Sequence, residues 1–366
     1  MMPVVTALRQ ESSLQTEVCV TGQHRQMLDQ VLDLFGLKPE HDLDVMAQAQ
    51  GLAGITCAVL KGLDALLPSI KPDRVLVHGD TTTTLAASLA CYYHKIPVGH
   101  VEAGLRSGDP LQPWPEENNR RMTDVIADLL FAPTEDACNK LLAEGVRRDR
   151  IVVTGNTVID ALLATVALID SDSAQRSALD DQFSFLDRSK PIVLVTGHRR
   201  ENFGQPFLDL CIAIADLARA HPIEVVYPVH LNPNVQAPVR AILSGVEGVH
   251  LVAPLDYLPF VYLMRRSHVI LTDSGGIQEE APSLGKPVFV MRNVTERPEA
   301  VHAGVVKLVG TDRDRIFAEV SAVLSSDRLY RDMSRRQNPY GDGLAAGRIA
   351  AVLSGRRVKE WSGSTS

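Results

Sequence analysis

The stretch that decides the fold is RVLVHGDTTTTLAASLACYYHKIPVGHVEAGLR, residues 74–106. It opens on a short apolar run, Arg74–His78, and passes through a Gly-Asp-Thr turn. It continues as a small-residue helix over Leu85–His94 and closes on a second apolar run, Val98–Val101. Short Val/Ile-rich runs without polar alternation suit strands buried on both faces, and strand, helix, strand in that order makes a parallel sheet. The same alternation extends in both directions. Strands are expected at Glu17–Thr21, Leu129–Ala132 and Ile151–Thr154, and a second set at Ile192–Thr196, Glu224–Val229, Val249–Val252, Val269–Thr272, Pro287–Met291 and Val305–Val309. Helical patterns lie between them, among them Gln26–Phe35, Leu52–Leu66, Pro206–Ala220, Ser274–Leu284, Arg313–Ser325 and Gly341–Leu353. The fold class is therefore α/β.

A chain of 366 residues favours two domains. The regular alternation breaks over Leu163–Ser189, where Asp170-Ser-Asp-Ser and Leu186-Asp-Arg-Ser-Lys-Pro flank one short helix. Placing the boundary there gives two Rossmann-like halves, residues 1–165 and 166–340, followed by a helix over 341–355 and a small polar tail, 356–366, expected to be disordered. With 37 Lys plus Arg against 44 Asp plus Glu the net charge is −7, and no basic patch suggests a nucleic-acid partner. An apolar content of 45% supports a large core and excludes global disorder. No uninterrupted apolar run is long enough to predict a membrane span, and no basic segment followed by an apolar stretch opens the chain. Cys19, Cys57, Cys91, Cys138 and Cys211 are odd in number and widely scattered, which argues against a metal knuckle or a disulfide framework. They read as buried, reduced thiols of a cytoplasmic protein.

Six segments could carry chemistry. In His78-Gly-Asp80-Thr-Thr-Thr-Thr84 the acid ends a strand and opens a helix, where ligands of open α/β sheets bind; equally, Asp is a preferred helix N-cap. In His100-Val-Glu102-Ala-Gly-Leu-Arg106, Glu102 ends the next strand, so it belongs on the same rim as Asp80, as an acid–base partner or as an ion pair with Arg106. In Trp114-Pro-Glu116-Glu117, Pro and two acids also suit a helix start; that bland role fits Glu117, while Glu116 is ambiguous. In Thr196-Gly-His198-Arg199-Arg200, one His and two Arg at a strand end suit a diphosphate, against the alternative of a solvated charged loop. In Thr272-Asp-Ser274-Gly275-Gly276, followed by Glu280, strand, small-residue turn and helix suit an anion on backbone N–H groups, with Glu280 in reach of ribose hydroxyls. Arg297 is the sixth, either a ligand contact or a salt bridge to Glu296 or Glu299. No Walker A lysine, GxSxG elbow or His/Cys metal cluster is present, so no metal and no cofactor is expected.

HGDTTTT (78–84), VEAGLR (101–106), PWPEE (113–117), TGNTVIDAL (154–162), TGHRRENFG (196–204), YPVHLNPNV (227–235), YLPF (257–260), LTDSGGIQEEAPSLGKPV (271–288) and TERPEA (295–300) occur in this order. Together they resemble the bacterial non-hydrolysing UDP-N-acetylglucosamine 2-epimerases, over about Pro3 to Leu353. The resemblance implies a GT-B-like fold, two Rossmann-like domains with parallel sheets facing across a cleft that holds the active site. It implies reversible C2 epimerisation of UDP-GlcNAc to UDP-ManNAc by elimination of UDP to 2-acetamidoglucal and re-addition, supplying ManNAc units for surface polysaccharide, in the cytoplasm and as a homodimer. By the same resemblance Asp80, Glu102, Glu116 and His198 are catalytic. Phe260, Ser274, Gly275, Gly276, Glu280 and Arg297 bind substrate. Gln23, Gln26, Arg199 and His230 form an allosteric site for UDP-GlcNAc, shared with Glu116. Leu255 stands where relatives often carry Gln, and Ala49 where some carry Arg. The family begins with a strand and a Gly-Thr-Arg-Pro-Glu loop, and Met2-Pro-Val-Val5 aligns just after it, so the first strand of the N-terminal domain is expected to be missing. Alternatives are a hydrolysing epimerase releasing ManNAc and UDP, a GT-B glycosyltransferase, and an inactive UDP-sugar-binding remnant.

Overall fold

The computed structural model describes every residue except His24, Ala47–Ala49, Glu296 and Ser364–Ser366, and nothing is described of the side chains of Gln26 and Met27. Ala49, the Gln26 side chain and Glu296 therefore lie outside the described residues. The chain divides into two compact units, Met1–Ala161 with Tyr340–Gly363, and Leu162–Pro339.

In the first unit, strand β1 (Cys19–Val20) pairs in parallel with β2 (His41–Asp42). A separate parallel sheet runs in chain order through β3 (Val75–His78), β4 (Val98–Val101), β5 (Leu129–Ala132) and β6 (Ile151–Val153). Strand β2 is new to the structure; a two-residue His-Asp strand carries no apolar signal. Register brings two strand ends together. His78 pairs with Val101, and Val101 with Phe131, so Gly79 and Glu102 leave the sheet side by side.

One face of this sheet is covered by the helices Met2–Gln10 and Ala345–Leu353, through Val4, Leu8, Val101, Phe131 and Ile349. Another cluster packs the helices Leu52–Ile70 and Thr82–Tyr93 against Val77, Val98 and Leu130. The first of these is not an uninterrupted apolar run, since Lys61 and Asp64 fall inside it. At 19 residues and a mean hydropathy of 1.4 it is long and apolar enough to cross a membrane by length and composition. Here its stripe Ile55, Val59, Leu63 and Leu67 is buried in the core.

Two expectations are corrected. Residues 356–363 are not a disordered tail: Trp361 is buried, donates its N–H to the Val153 carbonyl at 2.9 Å and lies under the Arg348 guanidinium, while Glu360 pairs with Arg148 at 2.7 Å. An indole offers enough apolar area to hold a short segment in place. All five cysteines are free thiols, but only Cys91, Cys138 and Cys211 are buried; Cys19 and Cys57 are exposed, Cys19 on the short pair of strands and Cys57 on the outer side of its helix.

The second unit holds β7 (Ile192–Thr196), β8 (Glu224–Pro228), β9 (Val249–Val252), β10 (Val269–Thr272), β11 (Val288–Val290) and β12 (Val306–Leu308). All are parallel, in the order β12-β11-β10-β7-β8-β9. Strand order reverses between β7 and β10, and in open α/β sheets ligands bind at the carboxyl ends of the strands at such a switch point. Thr196 pairs with Thr272 there, their hydroxyls 2.6 Å apart.

Candidate active site

The first unit carries an acidic rim at the ends of β3 and β4. The helix after β3 is capped by Thr81, whose hydroxyl accepts from the Thr84 N–H at 3.2 Å, so Asp80 is not its cap. The Asp80 carboxylate pairs instead with buried Arg120, and its carbonyl accepts from Asn119 at 2.9 Å. Glu102 makes no ion pair with Arg106, which is taken up by Asp124 (2.8 Å) and Glu144 (2.7 Å). Glu102 accepts from Asn156 Nδ2 at 3.0 Å and lies 3.8 Å from His78 Nε2. Its φ of +70° is strained for a residue with a Cβ, and such strain concentrates at functional positions.

Glu116 and Glu117 open the helix Glu116–Ile126 but differ in what holds them. Glu117 is buried and accepts from the Ser107 N–H (3.0 Å) and Arg120 (3.2 Å), a structural role. Each of the two also keeps one carboxylate oxygen out of solvent with no hydrogen-bond partner among the described residues. His78 beside Glu102 is held well below the ordinary imidazole range, chiefly by loss of solvation, then by the Met1 amino group and His100. Gln23 meets the same loop, accepting from the Thr83 hydroxyl at 2.7 Å.

The second unit carries a rim built largely from backbone. The loop after β7 is pinned rather than solvated: the fully buried Asp273, at the end of β10, accepts from the N–H groups of His198 and Arg199, both at 2.8 Å. The His198 ring lies 3.7 Å from the other Asp273 oxygen and stacks on exposed His230, centroids 5.3 Å apart. The helix Gly275–Glu280 starts just after Ser274, whose N–H is taken by the Thr272 hydroxyl at 3.0 Å. At Gly276 an added Cβ would meet protein no closer than 3.9 Å, so packing does not require glycine there.

Glu280 is buried and pushed up to about 7 by desolvation; the Tyr257 hydroxyl donates to it at 2.9 Å and partly offsets the rise. Tyr257 opens the helix Tyr257–Arg266, on which half-buried Phe260 lies one turn later. Arg297 pairs with Glu279 at 2.7 Å, a partner the local sequence does not suggest.

Motif reasoning passes over several residues that hold these rims: His100, Arg120, Asp124 and Asn156 in the first unit, Asp273, Glu279 and Tyr257 in the second. One signal is available. Glu117, Arg120 and Asp124 follow each other at intervals of three and four, which puts a row of charges on one helix face, and all three are buried.

Two parallel α/β units, with acidic side chains at the strand ends of one and a small-residue turn opening a helix at the switch point of the other, have the architecture of a GT-B-like nucleotide-sugar enzyme. The sequence profile described as UDP-N-acetylglucosamine 2-epimerase matches residues 6–354. The UDP-N-acetylglucosamine 2-epimerase of Yersinia pestis is 56% identical over 98% of this chain and 96% of its own. The Neisseria meningitidis UDP-GlcNAc 2-epimerase, solved with UDP-GlcNAc bound, superposes with a TM-score of 0.90 at 49% identity, covering 97% of this chain and 96% of that one. The Methanocaldococcus jannaschii enzyme, solved with UDP-GlcNAc and UDP, gives 0.79 at 32% identity, over 96% of this chain and 95% of that one. The chain belongs to the UDP-N-acetylglucosamine 2-epimerase family, and its class is that of an isomerase.

Proposed function

We propose that this chain interconverts UDP-GlcNAc and UDP-ManNAc without net hydrolysis. The observation that carries the reading is the rim of Asp80 and Glu102 on the aligned ends of β3 and β4, where Thr81 rather than Asp80 caps the following helix. The C2 proton of the sugar has no neighbouring carbonyl to acidify it. Elimination solves this: the C1–O bond to UDP breaks with its electron pair leaving on the diphosphate, while a carboxylate takes the C2 proton. The products are 2-acetamidoglucal and UDP. Proton return to the opposite face of C2 and re-addition of UDP at C1 complete the inversion.

Chemistry on both faces of C2 requires at least two acid–base groups, and Asp80, Glu102 and Glu116 supply three. The second unit holds the leaving group. His198, the Ser274 hydroxyl and the N–H groups of Gly275 and Gly276 meet the developing diphosphate charge, Glu280 the ribose, Phe260 the uracil and Arg297 the nucleotide. Glu280, near neutrality when empty, ionises readily once hydroxyl donors reach it.

Retention of the glycal rather than capture by water is supported by Gln23 on the Asp80 loop and by His230 stacked on His198. With Gln26 and Arg199 these belong to the pattern of a second UDP-GlcNAc site, and we assign them an activating role in a homodimer. Work in the cytoplasm, feeding ManNAc units to surface polysaccharide, suits free thiols and a UDP-sugar substrate. Incubation with UDP-GlcNAc in D₂O, followed by NMR, tests the reading. Deuterium at C2 with UDP-ManNAc as product is expected. Free ManNAc would make the enzyme hydrolysing, and bound UDP without exchange would make it a binding remnant.

A further inference from the structure

His100 is the only polar residue of β4 and is 0% exposed. Its Nδ1 lies 2.6 Å from Asp124 Oδ1 and its Nε2 2.8 Å from the Gly79 carbonyl oxygen. Both partners are acceptors. A neutral imidazole has one N–H and would turn a lone pair on one of them. The other Asp124 oxygen accepts from the Gly104 N–H at 3.2 Å and from Arg106 at 2.8 Å, so this carboxyl already faces one cation beside the ring. Behind Arg106 stand Glu144 and, further out, the more exposed Arg121. On the neighbouring strand stands His78, whose low affinity for a proton is partly due to His100.

The Gly79 carbonyl is half of the peptide unit that leads into Asp80. Gly79 itself is at φ +68°, and a Cβ there would stand 3.2 Å from Glu102 Oε2. Its N–H is already committed to the Val101 carbonyl at 3.0 Å. Two left-handed residues, Gly79 and Glu102, thus leave the sheet side by side, and the Gly79–Asp80 peptide leads directly into the Asp80 carboxylate.

We propose that His100 is held as an imidazolium between Asp124 and the Gly79 carbonyl, and that its second N–H is the positioning element that fixes the turn carrying Asp80 beside Glu102. His100 does not touch substrate; it acts through the turn. Arg106 and Asp124 complete the brace. The inference rests on the reading of Asp80 and Glu102 as acid–base groups.

The test uses the full chain with ¹⁵N-labelled histidine. Long-range proton–nitrogen spectra of the folded protein should show both ring nitrogens of His100 protonated. The signal is assigned by its loss in His100→Gln. His100→Phe, which fills the space but offers no donor, should fold, keep KM for UDP-GlcNAc within about threefold and lose about a hundredfold in kcat, as expected for a small misplacement of reacting groups. His100→Gln, with one donor, should lose about tenfold. A purely structural role predicts a lower melting temperature with kcat per folded molecule unchanged. A neutral-tautomer spectrum at about pH 7, or a folded His100→Phe with kcat within about threefold of the parent, would overturn the proposal. Should His100→Phe not fold, the spectrum and His100→Gln decide on the same terms. Failure of the underlying reading is distinguishable: it would show as retained turnover in Asp80→Asn and Glu102→Gln, whatever the ring spectrum.

Discussion

The acidic rim of the first unit and the diphosphate rim of the second are assembled by opposite means. In the first, side chains hold side chains: Arg120 holds Asp80, Asn156 holds Glu102, and His100 reaches across to a carbonyl. In the second, backbone does most of the presenting, and one buried carboxylate, Asp273, fastens the loop after β7 through two N–H groups. The sheets differ in the same sense. The second unit has one continuous six-stranded sheet with a switch point, whereas the strands of the first form ladders of two and four. Groups that must gain and lose a proton need adjustable charged neighbours. A group that only carries a diphosphate is served by fixed dipoles, which cost no reorganisation when charge appears.

This contrast breaks most easily at Asp80. Asp80→Asn should lower kcat about a thousandfold, about 4 kcal/mol in the barrier, with UDP affinity nearly unchanged, read from C2 deuterium exchange beside calorimetric UDP titration. A comparable loss of UDP affinity would show that the two rims do not divide the work.

Arg120→Met should act on the fold rather than the step. It strands Glu117 and Asp80 without their cation, and removing one partner of a buried pair costs about 4 kcal/mol. Urea midpoints for the first unit, followed apart from the second, would measure it; an unchanged midpoint would mean that water replaces the guanidinium.

Glu280 tests the second rim through pH. Burial raises it from 4.5 to about 7, so between those values the folded protein keeps a proton that the unfolded chain has released. Stability of the ligand-free protein should therefore fall as pH rises through that window, by about 3 kcal/mol at most, and Glu280→Gln should remove the slope.

Gly276→Ala should have the smallest effect and the sharpest meaning. Since nothing in the protein crowds a Cβ there, folding stability should hold, while UDP binding weakens by about tenfold, about 1.4 kcal/mol. A loss of stability instead would make the glycine a packing residue.

Much of this is legible in residue order. Strands β4, β5, β7, β9 and β10 begin and end where the apolar runs do, because a strand buried on both faces must be continuous in its hydrophobicity. The two-residue pair β1 and β2 shows the limit: so little chain is buried that its pairing, not its composition, makes it a strand. Asp80 reads equally as a cap or as a catalytic group, and only the structure, in which Thr81 takes the cap, removes the first reading. Polarity alone misjudges the tail, although a single tryptophan fastens it.

Periodicity, strand ends and ordered motifs thus determined the α/β class and the family, since each is a local property of the chain. The partners of the candidate site residues are a different matter. Arg120 for Asp80, Glu279 for Arg297, Asp273 for the loop after β7 and Asp124 for His100 lie 40, 18, about 75 and 24 positions apart. Such pairings are set by strand register and helix packing, which bring distant charges into a low dielectric where each must find its complement.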